Sequence, residues 1–423
     1  MRRGMAAVVV PTGLVLIWAV CLGGAGERER MTAEELLPFE TALHPPLGFQ
    51  IGVPQLMQGG DFTGDGNTDL VILTASPGPD GTRPWRMRVV LLAGDGTGGF
   101  RSPRVLYEVE ERLLEGELVW GRLGGVASGD FDLDGYRDFV VADAVSGGVR
   151  VFWGGDTGEF STTFVEGPNG FAPSAVVSAD LDGSGQLDLA VLDPLNGWIH
   201  VFSNTDVERA FAHSVSALLP TGYLALWMYA GAFADAATKS LVVLGYEMGS
   251  PQGERVLRIT IWSMSTGKLT LKTSICVGEE APVEPPNLAI GDYDGDGYPD
   301  ILVVRNQTVF TLWGDGSGEF RLTPTYPVLD PVVVQLLLID IDRDGCLNLV
   351  LVGMMTRRVW ISTGCYVEGH MVPVAFGRPP CCVVVDDLDG DGVQDLVVAT
   401  SMMPDWTHVE IFLGTEGKGN AER

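Results

Sequence analysis

The chain has 423 residues, 46% of them apolar, so it can bury a large core and is not disordered. Its formal charge of -28, from 55 acidic and 27 basic residues, excludes the basic clusters with which proteins bind nucleic acid. The 56 glycines and 25 prolines, with short runs rich in valine and leucine, exclude a mainly helical protein and predict many short strands joined by tight turns.

Residues 1–26 are predicted to be a secretory signal peptide. A basic start, MRRGM, precedes an apolar run that begins at Ala6, and small residues follow it near a possible cleavage site. Two alternatives stay open: an uncleaved anchor helix, which Pro11 would interrupt, and lipidation of Cys21. No other stretch is apolar enough to enter a membrane, so we expect a secreted or cell-surface protein.

Residues 27–423 are predicted to form a single domain built from repeats. Six segments share one pattern, with oxygen-bearing residues at positions 1, 3, 5 and 9, glycine at position 6 and a large apolar residue at position 10. We number these acidic loops by repeat as loops one, two, three, five, six and seven. They are DFTGDGNTDL from Asp61, DFDLDGYRDF from Asp130, DLDGSGQLDL from Asp180, DYDGDGYPDI from Asp292, DIDRDGCLNL from Asp340 and DLDGDGVQDL from Asp387.

The fourth repeat is disguised. Loops three and five start 112 residues apart, about twice the usual period of roughly fifty residues. The stretch GAFADAATKSLVV from Gly231 aligns with GDFDLDGYRDFVV from Gly129 and supplies the missing copy. Its acidic positions, from Ala232 to Ser240, carry alanine and serine, so we expect a fourth repeat without a bound ion. Seven repeats follow.

Each repeat predicts four antiparallel strands. One apolar segment precedes the acidic loop, a second follows it (DILVVR), a third comes after a turn (VFTLWG), and a glycine-rich turn ending in an aromatic residue leads into the fourth. Four such strands in about fifty residues form one blade of a propeller. The fold class is therefore predicted to be all-β, a seven-bladed β-propeller. Because the last repeat lacks its fourth strand, residues 38 to 45 are expected to complete blade seven and close the ring.

The acidic loops predict calcium sites. Carboxylates at positions 1, 3 and 5 of a tightly curled loop converge, glycine at position 6 permits the turn, the carbonyl of position 7 faces the ion and position 9 closes the shell. An EF-hand loop is excluded because strands, not a helix, follow each motif. We expect about six Ca²⁺ ions. The predicted ligands are Asp61, Thr63, Asp65, Asn67 and Asp69; Asp130, Asp132, Asp134, Tyr136 and Asp138; Asp180, Asp182, Ser184, Gln186 and Asp188; Asp292, Asp294, Asp296, Tyr298 and Asp300; Asp340, Asp342, Asp344, Cys346 and Asn348; Asp387, Asp389, Asp391, Val393 and Asp395.

The recurring DxDxDGxxDLVV motif, with downstream VFWG and GEF segments, resembles the FG-GAP or VCBS repeat of the integrin alpha-subunit propeller and of many secreted proteins. The resemblance covers nearly the whole chain after the leader. It implies calcium between the first and second strands of a blade and a propeller that acts as a binding or adhesion platform. The ligand-free fourth repeat and the absence of an inserted adhesion domain depart from the integrin pattern.

The sequence favours binding over catalysis. It contains no HExxH or GxSxG motif, and GDGTGG from Gly94 is interpreted as a hairpin turn because it lies between two strands. The expected partner of this monomer is a protein or a glycan, and nucleic acid is excluded. A lectin-like propeller and a polysaccharide lyase or hydrolase remain alternatives. Tryptophans such as Trp153 and Trp313 recur at one blade position and are predicted to pack in the core.

Three further features stay open. Five cysteines after the leader form no CxxC pair, which predicts no zinc site and at least one free thiol, with a disulfide among the last four left open. Asn306 lies in the sequon NQT. Residues 108 to 122 form the longest insert and are a candidate contact surface. The five cysteines are Cys276, Cys346, Cys365, Cys381 and Cys382.

Overall fold

The computed structural model describes residues 47–49, 51–77, 85–111, 123–205, 209–232, 239–248, 255–265, 267–278, 287–328, 330–363, 370–401 and 407–414. The predicted signal peptide, most of the insert at 108 to 122 and the centre of the fourth acidic segment lie outside these residues. The described elements are all β-strands, and none of the described residues belongs to a helix that could cross a membrane.

The strands form seven sheets, each with four antiparallel strands, so the predicted seven-bladed propeller is confirmed. Within a blade the strands follow chain order from the first strand to the fourth. Blade one holds β2 (Val53–Gly60), β3 (Asp69–Ser76), β4 (Arg86–Leu92) and β5 (Arg104–Glu110); blade two holds β6 (Leu123–Gly129), β7 (Asp138–Asp143), β8 (Gly148–Trp153) and β9 (Ser161–Glu166); blade three holds β10 (Ala175–Ala179), β11 (Asp188–Asp193), β12 (Trp198–Thr205) and β13 (Ala210–Leu218).

Blade four is complete and has the longest strands, although its acidic residues are missing from the sequence. Blade four holds β14 (Tyr223–Ala232), β15 (Lys239–Met248), β16 (Arg255–Ser265) and β17 (Lys268–Gly278); blade five holds β18 (Leu288–Gly291), β19 (Asp300–Arg305), β20 (Thr308–Gly314) and β21 (Phe320–Pro327); blade six holds β22 (Val333–Ile339), β23 (Asn348–Gly353), β24 (Arg358–Thr363) and β25 (His370–Ala375); blade seven holds β26 (Pro380–Asp386), β27 (Asp395–Ser401) and β28 (Thr407–Phe412).

An N-terminal strand completes blade seven, as predicted. Strand β1 (Leu47–Phe49) pairs with β28, with Leu47 opposite Val409 and Phe49 opposite Thr407. The Thr407 hydroxyl also donates a hydrogen bond to the carbonyl of Gly52 at 2.6 Å. Residues 38 to 45, the predicted closing segment, lie outside the described residues. The ring is thus closed by pairing between its two chain ends.

The core lies between the blades. The second strand of each blade is buried on both faces, and buried apolar residues form seven clusters. Each cluster joins the facing sides of two neighbouring blades, and one of them joins blade seven to blade one. Trp153 belongs to this core, as predicted, with 1% of its surface exposed. Its indole N–H donates to the Thr163 hydroxyl at 2.9 Å, a bond that Trp313 repeats with Thr323 in blade five.

The segment from Gly94 to Gly99 is a hairpin turn, as predicted. Gly94 bridges to Phe100, and the amide of Asp95 donates to the carbonyl of Gly99 at 3.0 Å. The segment joins β4 to β5 and opens no helix, so its GxGxxG pattern has no nucleotide-binding context.

Candidate metal sites

Each acidic loop joins the first strand of a blade to the second. Because the blades share one topology, all six loops lie on the same face of the propeller. Position 9 is the first residue of the second strand in every case, for example Asp69 in β3 and Asp395 in β27. Loops one and seven also touch across the ring closure, where the Thr68 hydroxyl donates to the carbonyl of Asp387 at 2.9 Å.

All six loops curl in the same way. The amide of the glycine at position 6 donates to the carboxylate at position 1 over 2.8–3.0 Å. The amide of position 7 donates to the side chain at position 5, as from Tyr298 to Asp296 at 2.8 Å. The glycine at position 6 has a left-handed backbone, with φ between 85° and 92°, which explains why glycine recurs there. These glycines are Gly66, Gly135, Gly185, Gly297, Gly345 and Gly392.

The curl brings carboxylates together in five loops. In each of them three aspartates place one oxygen each within 4.8 Å of the others. Loops two, three, five and seven use positions 1, 3 and 9, and loop six uses positions 1, 3 and 5. These clusters are Asp130, Asp132 and Asp138; Asp180, Asp182 and Asp188; Asp292, Asp294 and Asp300; Asp340, Asp342 and Asp344; Asp387, Asp389 and Asp395.

Loop one forms no such cluster. Thr63 replaces the aspartate at position 3, and Asp65 at position 5 pairs with the guanidinium of Arg101 at 3.3 Å. Asp61 and Asp69 accept hydrogen bonds from loop amides, as in the other loops. Loop one therefore has the shared backbone shape with a poorer set of oxygen ligands.

Position 9 has a second role that the sequence pattern did not reveal. Asp300 is fully buried and accepts hydrogen bonds from the amides of Tyr293 at 2.9 Å and Gly314 at 2.8 Å. It therefore ties its loop to the far end of strand β20. The same pair of bonds recurs at Asp69, Asp138, Asp188 and Asp395.

Loop six has asparagine at position 9 and a different arrangement. Asn348 accepts the amide of Ile341 at 2.8 Å through its carbonyl oxygen, but its amide nitrogen is buried without a hydrogen-bond partner. The neighbouring amide of Leu349 donates to the Ser362 hydroxyl at 2.7 Å. An amide side chain has one oxygen where a carboxylate has two, so Asn348 offers a cation fewer oxygen ligands than an aspartate would.

Burial of the carboxylates and repulsion between them make their ionised forms unfavourable in the absence of a cation. Burial, together with the nearby charges of Asp132 and Asp134, raises the pKa of Asp138 to about 7. Burial likewise raises the pKa values of Asp300 and Asp395 to about 6. A bound cation would reverse this tendency, because it favours the ionised form of each carboxylate.

The residues fit a hard cation. Oδ1 of Asp292 in loop five is buried and has no hydrogen-bond partner, and its cluster partners Asp294 and Asp300 lie within 4.8 Å. A buried carboxylate oxygen without a partner is rare in native proteins and points to a missing ligand. The clusters contain oxygen donors alone, which hard divalent cations prefer.

In the fourth repeat, the structure describes only the two ends of the segment that replaces the acidic loop. Ala232 pairs with Lys239 and Gly231 with Ser240 at the junction of β14 and β15. Residues 233–238, which carry most of the predicted vacant ligand positions, lie outside the described residues. The absence of an ion in blade four thus stays a prediction.

Strand pairing also brings together two histidines that are thirteen residues apart in sequence. His200 on β12 and His213 on β13 have ring nitrogens 3.4 Å apart, and both contact the Ser216 hydroxyl at 2.8 Å. Burial lowers the pKa of His200, so its neutral form is favoured. A chain of hydrogen bonds through the serine satisfies both rings, which makes the group a stabilising contact of blade three.

The comparisons with known proteins agree with this architecture. A family model described as an FG-GAP-like repeat matches residues 130–191 and 258–351, which include loops two, three, five and six. These two segments of the chain are similar to the FG-GAP-like repeat. No curated protein sequence matches the chain.

Many solved structures match the chain at the level of fold. One is an Agrocybe aegerita lectin that recognises non-reducing terminal N-acetylglucosamine, with 15% identity, 75% of this chain and 79% of that chain covered, and a TM-score of 0.49. Another is regucalcin, a calcium-binding protein from Agrobacterium tumefaciens, with 9% identity, 69% and 91% coverage, and a TM-score of 0.41. Neither similarity assigns a ligand to this chain.

Proposed function

We propose that this protein is a calcium-stabilised propeller that acts outside the cytoplasm as a non-catalytic binding or adhesion platform. The observation that carries the proposal is the repetition of one carboxylate cluster in blade after blade, on a single face. A reaction needs one asymmetric site, whereas ions that brace a ring are needed once in every blade. The repeated loops therefore support a structural role for the cation and leave the surface free for a partner.

Calcium is the cation that suits these loops best. Side-chain oxygens at positions 1, 3, 5 and 9 and the carbonyl at position 7 supply five ligand groups, and a bidentate carboxylate or water would complete the six to eight oxygens that calcium takes. Zinc prefers histidine and cysteine ligands, and neither side chain takes part in the described clusters. When bound, calcium would neutralise the crowded carboxylates and hold each loop against its blade.

Two features support an extracytoplasmic location. The predicted leader, residues 1–26, has the pattern of a secretory signal. Cys346 is disulfide-bonded, and disulfides persist mainly in oxidising compartments, whereas Cys276, Cys381 and Cys382 are free thiols. Millimolar calcium outside cells also matches the weak affinity of extracellular calcium modules.

The number of bound ions tests the metal assignment. Native mass spectrometry of the protein in calcium is expected to show six ions, one for each acidic loop and none for blade four. Asp387→Asn should reduce the count by one, because it removes the position 1 carboxylate of loop seven. A count of seven would show that blade four binds an ion and would refute its predicted loss.

A pull-down from native extracellular material, with and without calcium, tests the binding role. We expect a specific partner that is retained in calcium and lost after chelation, because the ions brace the binding surface. Turnover of a polysaccharide that a single substitution outside the acidic loops abolishes would identify an enzyme and overturn the non-catalytic assignment.

Carbohydrate binding is a second candidate, favoured by one cavity of about 300 Å³ between blades one and two. Its walls combine an apolar patch with charged and hydroxyl groups, a mixture typical of sites for polar ligands. Nε of Arg104 is buried there without a hydrogen-bond partner, although the terminal nitrogens bind Glu159 at 2.8 Å and the carbonyl of Gly158. The lining includes Leu91, Ala93, Arg101, Arg104, Asp65 and Asp156.

Arg104→Gln tests this second candidate. On a glycan array it is expected to reduce binding of any recognised sugar at least about tenfold, because one charge-assisted hydrogen bond contributes on the order of 1.5–3 kcal/mol. Arg86→Gln is the matched control, because Arg86 forms an exposed ion pair with Glu110 and does not line the cavity. Equal loss in both variants, or no glycan binding by the unmodified protein, would argue against this cavity as a sugar site.

A further inference from the structure

Loop two already holds a positive charge that belongs to another blade. Arg209 lies in the hairpin between β12 and β13 of blade three, yet its guanidinium reaches loop two of blade two. Its Nε lies 2.6 Å from Oδ2 of Asp132, and Nη2 lies 3.1 Å from Oδ2 of Asp134. Nη1 donates to the Ser161 hydroxyl at 3.2 Å, and the group packs over the Trp153 ring at 5.5 Å.

Arg209 binds oxygens of two carboxylates, at positions 3 and 5, that are predicted to hold the cation of loop two. Oδ1 of Asp132 accepts the amide of Asp134 at 3.3 Å, and Oδ1 of Asp134 accepts the amide of Tyr136 at 2.9 Å. These bonds shape the loop and direct the Oδ1 atoms to the backbone. The Oδ2 atoms of these two carboxylates accept no loop amide, and Arg209 binds both of them.

Loops five and seven provide the comparison within the same molecule. They share the four aspartates of loop two at positions 1, 3, 5 and 9. Their position 3 and position 5 carboxylates accept the same loop amides, over 2.7–3.2 Å. Among the ion pairs of the described residues, none involves a carboxylate of loop five or loop seven. Loops two, five and seven thus have the same four aspartates, but among them only loop two has an ion pair with an arginine in the described part of the chain.

We infer that Arg209 is a built-in competitor for the cation of loop two. Calcium enters this loop only as the guanidinium leaves Asp132 and Asp134, so loop two fills at a higher calcium concentration than loops five and seven. Filling it also releases a tie between blades two and three, because Arg209 is anchored in blade three. This inference rests on the proposal that the acidic loops hold calcium.

The size of the effect follows from electrostatics. A guanidinium that has left the carboxylates but stays about 5 Å from a divalent cation repels it enough, even at the dielectric constant of water, to weaken binding about tenfold. Neutralising Arg209 should therefore tighten loop two by a similar factor, and a lysine at this position should retain most of the competition.

Terbium luminescence, excited through nearby aromatic rings, can report on loop two. Tyr136 occupies position 7 of loop two and Tyr298 the same position of loop five, so Tyr298→Phe provides a background in which Tyr136 is the position 7 sensitiser. In that background we would titrate terbium, and then displace it with calcium, in the unmodified site and in Arg209→Gln and Arg209→Lys. The luminescence of terbium in loop two is defined as the part of the total luminescence that is lost in Asp130→Asn.

We expect Arg209→Gln to lower the half-saturating concentration of the loop-two signal about tenfold. Arg209→Lys and the control Arg86→Gln, which removes a charge from a distant ion pair, should leave it near the original value. An unchanged or weaker affinity in Arg209→Gln would overturn the competitor role. If Asp130→Asn abolishes no signal, loop two binds no cation, and the metal assignment of that loop fails together with this inference.

Discussion

Chelation of calcium is expected to lower the melting temperature of this protein by about 5–15 °C. Extracellular calcium modules have dissociation constants of about 0.1–1 mM, so at about 1 mM calcium each site adds on the order of 0.5–1.5 kcal/mol. Six sites together add several kcal/mol, and each kcal/mol shifts the midpoint of a large domain by about 2 °C. Differential scanning calorimetry in calcium and in EDTA at equal ionic strength measures the shift.

The physical reason is the cost of the acidic clusters without an ion. Asp138 is fully buried beside Asp132 and Asp134, and its raised pKa shows how strongly burial disfavours its charge. Calcium removes this cost in each occupied loop and binds the unfolded chain weakly, so the folded state gains stability. Adding calcium back should restore the midpoint, and magnesium, which demands a smaller octahedral shell, should restore less of it. An identical melting temperature in calcium and EDTA would exclude a structural role for the ion.

The spacing of the acidic motifs was enough to predict the blade count and the place of each loop. A period near fifty residues leaves room for four strands, and the observed loops begin where the motif predicts. The prediction of a four-stranded blade is confirmed even for blade four, because its sequence keeps the apolar strand pattern although it lacks the acidic residues. Burial of a strand depends on its apolar side chains and not on the loop that precedes it.

Closure of the ring by an N-terminal strand was predictable, because the last repeat lacks its fourth strand. Within the described residues that strand is Leu47–Phe49, which pairs with β28. Residues 38 to 45, which the repeat alignment suggested, lie outside the described part of the chain, so their part in the closure stays a prediction.

The arginines at loops one and two were not predictable from the motif. Arg101 reaches Asp65 from the hairpin of its own blade, and Arg209 reaches Asp132 from the next blade. Both contacts depend on how hairpins of a closed ring approach the loops, which no local pattern encodes. The net charge of -28 gives no sign that loops one and two carry a positive partner.

The carboxylate at position 9 is predicted both to bind the ion and to accept hydrogen bonds from backbone amides, and these two roles can be measured separately. Asp300→Ala is expected to destabilise the protein by about 3–5 kcal/mol in calcium, and by about 2–4 kcal/mol in EDTA, because it leaves the buried amides of Tyr293 and Gly314 without acceptors. Asp296→Ala is the matched control in the same loop. Asp296 is exposed and accepts the amide of Tyr298, which is itself exposed, so the loss of this carboxylate should matter mainly when the ion is present.

Urea denaturation of both variants, with calcium and with EDTA, distinguishes the two roles. For Asp296→Ala the loss of stability should shrink to below about 1 kcal/mol once calcium is removed, since an exposed hydrogen bond contributes little. For Asp300→Ala most of the loss should persist, because the unsatisfied amides remain buried in the absence of the ion. If Asp300→Ala were silent in EDTA, position 9 would be a metal ligand alone. The hydrogen bonds between loop and blade would then form only when the ion binds. If the loss persists in EDTA, these bonds form without the ion, and the ion binds to a loop that is already folded.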